Sequence, residues 1–216
     1  MQADQQKKNP LRIIAMLGQK GGPGKTTLAV HLAVAAQEDG EIVTMADTDP
    51  QASAYKWVEL REAKDPPVAQ IRPKDLNRVI SIAEQGNASL MIIDTAPHAS
   101  LGAYDAIARA DLVIMPCRPT RFDLATIEAA VSIAEASRRK GAFVLNQCSP
   151  QGTETESARA VLQSYGFPVA PMTIGLRKAY ARATDTGRAV TEFDPRGAAA
   201  EEIREFWQWT KEMLNC

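Results

Sequence analysis

The stretch Gly18-Gln19-Lys20-Gly21-Gly22-Pro23-Gly24-Lys25-Thr26-Thr27-Leu28 follows an apolar run, residues 12–17, and opens an Ala/Leu/Val-rich segment. This order is typical of a buried parallel strand, a phosphate-binding loop and a helix. Glycines let backbone N–H groups face an anion, and the helix N-terminus adds positive charge. Lys25 then meets the β and γ phosphates of a nucleotide, and the Thr26 hydroxyl is placed to hold Mg²⁺. The predicted nucleotide-binding residues of this stretch are Gly21, Gly22, Gly24, Lys25, Thr26 and Thr27.

Composition predicts one soluble domain. The chain has 216 residues, 45% apolar and 24% charged, and a net charge of -1. This length suffices for a sizeable core, and we expect a polar, flexible tail at residues 1–10 and a single domain at 11–216. The balanced charge excludes a globally basic nucleic-acid binder, so any DNA contact must be a local patch. Three cysteines without a C-x-x-C pair, and no apolar run near the roughly 18 residues of a membrane span, predict a cytoplasmic protein.

Apolar and helix-like segments alternate along the chain. Strands are predicted at 12–17, 41–46, 90–93, 112–115 and 142–145. Helices are predicted at 26–38, 76–85, 101–108, 124–139 and 198–214. This alternation predicts an α/β fold with a mostly parallel, twisted sheet, helices on both faces, and ligands at the carboxyl ends of the strands.

The glycine loop departs from the pattern G-x-x-x-x-G-K-[ST], because Gln19 stands where its first glycine should be. It reads K-G-G-x-G-K-T from Lys20 to Thr26, which resembles the deviant Walker A motif of the ParA/MinD family of ATPases. The resemblance implies that Lys20 reaches the partner's phosphates across a two-fold dimer, so Lys20 joins Lys25 as a catalytic residue. Pro23 is unusual because it removes one backbone N–H donor from the loop.

A second motif, Met45-Ala46-Asp47-Thr48-Asp49-Pro50-Gln51, runs from a strand end into two carboxylates. It resembles the D-x-D-P-Q segment of the same family. The resemblance implies that Asp49 positions or activates the attacking water and that Asp47 lies beside the Mg²⁺ shell. On local grounds alone, the segment is also compatible with a solvated turn in which Pro50 ends the strand.

The apolar run 90–93 ends in Asp94, where a carboxylate can hold the hydration shell of Mg²⁺ opposite Thr26. The family pattern here is D-T-P-P, from which Ala96 departs, and the resemblance implies a switch loop after Asp94. His98 in this loop and His31 are interpreted as structural or surface residues, because no metal-spaced His/Cys cluster accompanies them.

Two later segments resemble the family more loosely. Met115 to Asp123 is similar to a strand-to-helix segment ending in P-S-x-x-D, with Thr120 in the serine place, and we expect Asp123 to be a helix N-cap rather than a catalyst. Asn146 ends another predicted strand, where the family often places an adenine-contacting asparagine. A turn-forming role for Asn146 is an equally open alternative.

The C-terminal part holds a basic segment and an amphipathic helix. Spacing puts Lys178 and Arg182 on one helix face, with Arg177 beside them and Arg188 further on. Similar residues in ParA-type proteins bind DNA without regard to sequence, and a solvated helix face is the alternative. The helix 198–214 carries more acidic than basic residues, so anionic lipid would repel it and packing against the sheet is expected.

Taken together, the resemblance implies a small ParA-type ATPase without the N-terminal helix-turn-helix domain of larger partition ATPases. Such a protein binds ATP and Mg²⁺, forms an ATP-dependent homodimer and binds non-specific DNA on the nucleoid. It moves a plasmid, a chromosome region or another cargo, and a ParB-like partner stimulates hydrolysis. A membrane-bound MinD-like positioning factor is an alternative. A reductase or an autokinase on this fold is another, although Cys117 and Cys148 match no cluster motif and no tyrosine cluster ends the chain.

Overall fold

A seven-stranded sheet forms the centre of the computed structural model, which describes residues 10–18, 21–97, 101–150 and 153–216. The strands are β1 Arg12–Met16, β2 Val43–Asp47, β3 Val68–Gln70, β4 Leu90–Asp94, β5 Leu112–Cys117, β6 Lys140–Cys148 and β7 Val169–Gly175. Their order across the sheet is β3-β2-β4-β1-β5-β6-β7, and every neighbouring pair is parallel. The predicted fold class is therefore confirmed.

Helices connect the strands, as parallel pairing requires. They are α1 Lys25–Glu38, α2 Ser53–Leu60, α3 Leu76–Gln85, α4 Leu101–Arg109, α5 Arg121–Leu124, α6 Ile127–Ser137, α7 Glu154–Gln163, α8 Lys178–Thr184, α9 Val190–Phe193 and α10 Ala198–Asn215. A 3₁₀ turn, Pro73–Asp75, precedes α3.

The sheet buries both of its faces, which explains the near-continuous apolar strands. Ile14 and Met16 of β1 point to one layer, formed with α1, α8, α9 and α10. Ile13 and Ala15 point to the other layer, formed with α3, α4, α6 and α7. Because α1 is covered by the sheet and by α10, its residues from Leu28 to Ala36 are all buried.

The last helix packs in the core, as predicted. Ile203, Phe206 and Trp207 of α10 are buried. The Trp207 indole Nε1–H donates to Asp39 Oδ2 at 2.8 Å, and the same oxygen accepts from Lys211 Nζ at 2.7 Å. These bonds tie α10 to the loop that follows α1.

Several short or irregular parts of the fold differ from the sequence prediction. The predicted helix 124–139 begins at the last residue of α5 and otherwise corresponds to α6. The helices α2, α7 and α9 and the strands β3 and β7 have no counterpart in the prediction. β3 has only three residues. β7 lies at the sheet edge, contains Pro171, pairs irregularly with β6 and buries only Ala170 and Ile174. Neither strand therefore has the continuous apolar run that marks a central parallel strand.

Candidate nucleotide site

The phosphate loop joins β1 to α1 at the centre of the sheet edge. Gly24 directly precedes α1 with φ 90°, and a Cβ there would overlap Asn146 Nδ2. Gly22 also has a positive φ, 109°. Both positions therefore need glycine, because an L side chain is strained at these φ values. Gly21 and Gly22 are exposed, and Thr27 lies half-buried in the first turn of α1.

Lys25 lies at the start of α1 and is 7% exposed. Its Nζ lies 3.5 Å from the Gly18 carbonyl oxygen, so the side chain folds back along the loop. Burial lowers the pKa of Lys25, while the Asp94 and Asp49 carboxylates oppose this shift. The ammonium group is therefore held at the loop beside negative charge, where a polyphosphate would find a partly desolvated cation.

Asp94 lies at the end of β4, between the ends of β1 and β2. The Thr26 hydroxyl donates to Asp94 Oδ2 at 2.6 Å. Burial raises the pKa of Asp94 to about 7, although the hydrogen bond from Thr26 lowers it. Asp94 Oδ1 is buried and has no hydrogen-bond partner among the described residues.

These two oxygen groups suit Mg²⁺, which is normally held by one or two protein oxygens together with waters and substrate phosphates. An unpartnered buried carboxylate oxygen next to a hydroxyl is the kind of donor pair that such an ion would complete. Thr26 and Asp94 therefore fit the predicted metal site.

Asp47 and Asp49 shape the turn after β2. Asp47 is fully buried, and its two oxygens accept from the backbone N–H groups of Asp49 and Tyr55, each at 3.0 Å. Burial raises the pKa of Asp47, and the bond from Tyr55 partly offsets this shift. Asp49 is half-buried and accepts from the Gln51 N–H at 2.9 Å. Asp47 thus fixes the start of α2, and its predicted place beside Mg²⁺ stays a prediction.

The opposite side of the loop is held by two amides. Asn146 Nδ2 donates to the Pro23 carbonyl at 2.6 Å, and Asn146 Oδ1 accepts from the Gln147 N–H at 2.9 Å. Gln147 Nε2 donates to the Gly22 carbonyl at 2.9 Å. Asn146 therefore supports the loop in this structure, and its contact with adenine stays a prediction. Gln147 was not predicted from the sequence, because it lies near the carboxyl end of β6, which β5 separates from β1.

A buried carboxylate lies behind the loop, and here the sequence prediction was wrong. Thr120, not Asp123, is the N-cap of α5: its hydroxyl oxygen accepts from the Asp123 N–H at 3.2 Å. The Asp123 carboxylate instead accepts from the Thr120 hydroxyl and from Arg118 Nε and Nη2, the last two at 2.9 and 3.1 Å. Asp123 lies inside the first turn of α5, where its side chain cannot cap the N-terminus.

A cavity of about 350 Å³ lies between the carboxyl ends of β6 and β7. Its lining residues are Cys148, Ser149, Pro150, Thr155, Thr173, Gly175, Leu176, Arg177 and Glu202. Burial raises the pKa of the Cys148 thiol. Burial also raises the pKa of the Cys117 thiol, to about 12.

The predicted DNA-binding residues lie together on and around α8. Arg177 precedes the helix, and its Nε and Nη2 donate to Glu202 Oε1 at 2.8 and 2.7 Å. Hydrogen bonding to Glu202 raises the pKa of Arg177. Lys178, Arg182 and Arg188 are exposed, and their side chains form no ion pair within the described part of the chain. Among the described residues, these three cations thus have no ion-pair partner, whereas the charge of Arg177 is paired with Glu202.

The segment that follows α8 is anchored to two helices. Arg61, which follows α2, forms a two-pronged ion pair with Glu192 at 2.7 and 2.8 Å and donates to the Gly187 carbonyl at 2.8 Å. His31 of α1 is buried, and its Nδ1 accepts from the Val190 N–H at 3.2 Å. Burial lowers the pKa of His31 to about 3, and the Glu192 carboxylate only partly opposes this. His31 is therefore a neutral structural residue, one of the two roles predicted for it.

Two predicted features, Lys20 and His98, lie outside the described residues. The cross-dimer role of Lys20 therefore stays a prediction.

The central strand of this parallel sheet leads through a glycine loop into a helix that begins with a buried lysine. This arrangement defines a nucleotide-binding protein of the phosphate-binding-loop class. The chain matches the family model described as the CobQ/CobB/MinD/ParA nucleotide binding domain over residues 14–190, and it belongs to this family. It is an ATPase of the ParA/MinD type. Among the described residues, no helix has the length and apolar character needed to cross a bilayer.

Two relatives match almost the whole chain. Maintenance of carboxysome distribution protein A from Gloeobacter kilaueensis is 33% identical over 94% of this chain and 94% of its own length. The protein of the same name from Halothiobacillus neapolitanus is 27% identical over 89% of this chain and 93% of its own. Among solved structures, the septum site-determining protein MinD with Mg-ADP from Pyrococcus horikoshii has a TM-score of 0.77 and 21% identity, and covers 93% of this chain and 96% of that chain. This last likeness supports the fold.

Proposed function

We propose that this chain is a positioning ATPase that binds ATP with Mg²⁺, forms an ATP-dependent homodimer and distributes a large cargo by binding DNA non-specifically. The observation that carries the proposal is the arrangement at the loop. A buried lysine, a hydroxyl bonded to a buried carboxylate, and a second half-buried carboxylate meet at one edge of the sheet. The resemblance to ParA-type proteins and the names of the two full-length relatives support the positioning role.

The residues at the loop divide the work of hydrolysis. Lys25 and the backbone N–H groups of Gly21, Gly22 and Gly24 bind the phosphates. Thr26 and Asp94 hold Mg²⁺, which when bound would neutralise charge on the phosphates. Asp49 orients the attacking water, because a carboxylate there can accept a hydrogen bond from water without adding attraction for an anion. Stable orientation of Asp49 is provided by the turn that Asp47 fixes.

Dimerisation requires that the negative charge of the two nucleotides be reduced. Two ATP molecules facing each other across a two-fold axis repel, and a lysine contributed by each partner reduces that repulsion. We assign this role to Lys20. Lys20→Ala is expected to bind ATP as a monomer, and light scattering with ATP measures this. A variant that dimerises normally would show that another group bridges the two nucleotides.

The cargo is proposed to be a large intracellular assembly. Both full-length relatives carry names that refer to carboxysome distribution, which favours a protein body of that kind. A plasmid or chromosome region is the alternative cargo. In either case we propose that an adaptor protein on the cargo stimulates hydrolysis. Membrane attachment through α10 is not part of the proposal, because the large apolar residues of this helix are buried in the core or packed against it.

The DNA contact is assigned to Lys178, Arg182 and Arg188, with Arg177 at the edge of the patch. A few exposed cations bind DNA weakly, since each contributes mainly by counterion release. A dimer presents two such patches on one particle, so the second set of contacts becomes nearly intramolecular. ATP can therefore raise the affinity for DNA strongly without changing either patch.

This function is tested by DNA retention with and without ATP. Lys178→Glu combined with Arg182→Glu reverses two unpaired charges and leaves the Arg177–Glu202 pair intact. We expect this variant to dimerise with ATP and to lose DNA binding, while the wild type loses DNA as salt rises. The control, Arg78→Glu with Arg109→Glu, makes the same change in net charge on exposed residues of α3 and α4, at the other face of the sheet. Equal DNA retention by the two variants would contradict this assignment.

A further inference from the structure

Arg118 follows the last residue of β5, the strand that pairs with β1 on the side away from β4. Its Nε and Nη2 bond the Asp123 carboxylate at 2.9 and 3.1 Å. The Asp123 side chain is 7% exposed, and the Thr120 hydroxyl also donates to it. A buried carboxylate with a second donor therefore holds one edge of the guanidinium in a fixed orientation.

The same guanidinium also lies beside the phosphate loop. Arg118 Nη1 and Nη2 each lie 3.9 Å from the position that a Cβ would occupy at Gly22. The Arg118 side chain is 35% exposed, so it borders the open side of the loop and not the core. The carbonyl of Gly22 is held from elsewhere by Gln147. Bonding to Asp123 through Nε and Nη2 thus leaves Nη1 beside the loop.

We infer that Arg118 binds the polyphosphate of the nucleotide, with Nη1 donating a charge-assisted hydrogen bond to a phosphate oxygen. This rests on the proposed nucleotide site at the same loop. An arginine has five N–H donors in a planar fork, so one edge can stay on a carboxylate while the other meets a phosphate. Pro23 provides no N–H, and Arg118 supplies a donor close to that part of the loop.

The contribution of Arg118 is short-ranged. The ion pair with Asp123 has almost no net charge, so at a distance it adds little attraction for the nucleotide. A direct hydrogen bond to phosphate does not depend on net charge of the pair, but it does depend on where the donor lies. Replacing Arg118 should therefore change the affinity for the nucleotide, whereas replacing a nearby arginine that does not lie beside the loop should not.

The test compares Arg118→Gln, Arg118→Lys and the control Arg121→Gln by titration calorimetry with ADP and Mg²⁺. Arg121 is exposed on α5 and close in sequence. We expect Arg118→Gln to weaken ADP binding about tenfold, the effect of one charge-assisted hydrogen bond. Arg118→Lys should recover part of the affinity because it keeps a cationic donor, and Arg121→Gln should bind as the wild type does.

The thermal midpoint without nucleotide separates binding from packing. The inference would be overturned if Arg118→Gln bound ADP with an affinity within about twofold of the wild-type value, since the expected loss is about tenfold. The inference would also be overturned if Arg118→Gln and Arg118→Lys lowered the thermal midpoint to the same extent and also lowered the ADP affinity to the same extent. Arg118 would then only support the loop. Lys25→Ala distinguishes this failure from failure of the site itself. Loss of binding in Lys25→Ala with normal binding in Arg118→Gln refutes only the role of Arg118, whereas normal binding in both refutes the nucleotide site.

Discussion

The two sides of the phosphate loop offer it different chemistry. Towards β2 and β4 lie carboxylates, and one of them, Asp94, has a buried oxygen without a hydrogen-bond partner among the described residues. Towards β5 and β6 lie the guanidinium of Arg118 and the amides of Asn146 and Gln147, and these amides bond the loop carbonyls. The first side has bonding capacity left for metal and water, while the second is largely engaged in holding the loop. We therefore expect the acidic side to govern hydrolysis and the amide side to govern binding.

The largest effect should come from the residue that both sides share. Lys25→Ala removes the buried cation of the loop and is expected to cost about 3 kcal/mol or more of ATP binding free energy, because a phosphate charge loses its partner. Calorimetry measures this, with Lys56→Ala as a control on the exposed face of α2. Unchanged affinity would mean that neither side organises a phosphate site around Lys25.

The acidic side is tested by Asp49→Ala. Turnover should fall about ten- to a thousand-fold, as expected on loss of a water-positioning group, while ATP affinity stays near the wild-type value. Steady-state phosphate release and calorimetry measure the two quantities separately. Full residual turnover would assign the water to another residue, and Asp47 would be examined next.

The amide side should show the opposite pattern. Asn146→Ala frees the Pro23 carbonyl and the Gln147 N–H, and we expect a loss of about 1 kcal/mol in nucleotide binding, the net value of a typical hydrogen bond. The rate of hydrolysis of bound ATP in a single turnover should change little. If the single-turnover rate fell more than the affinity, the division between the two sides would be wrong.

The smallest effect concerns a residue of α1 that faces away from the loop. His31 stays neutral when folded, so the unfolded chain takes up a proton that the folded chain excludes as pH falls below 7. Stability should drop by about 0.7 kcal/mol between pH 7 and pH 6 through this residue. Urea unfolding of wild type and His31→Asn measures it, since the Asn side-chain oxygen can replace Nδ1 as acceptor. An identical pH slope in the two proteins would contradict the assignment.

The sequence predicted the acidic side better than the amide side. Asp49 and Asp94 are found from local patterns, because a strand end followed by a carboxylate is visible along the chain. Gln147 and Arg118 reach the loop through the spatial neighbourhood of β1, β5 and β6, which no local pattern contains. Asp123 was wrongly predicted to be an N-cap because the sequence pattern did not show where the first turn of α5 begins. The helix begins at Arg121, so Thr120 is the N-cap. The short edge strand β3 and the proline-containing strand β7 escaped the apolar-run criterion.

Pro23 has a further consequence for the thermodynamics of nucleotide binding. Its ring fixes φ, its carbonyl is bonded by Asn146, and the carbonyl of Gly22 before it is bonded by Gln147. The part of the loop at residues 22–24, held in this way, has little conformational entropy left to lose when phosphate arrives. The missing N–H lowers the enthalpy gained on binding, and the smaller entropic cost offsets part of that loss. Nucleotide binding to this loop should accordingly be less enthalpic and less entropically opposed than binding to the same loop with glycine at position 23.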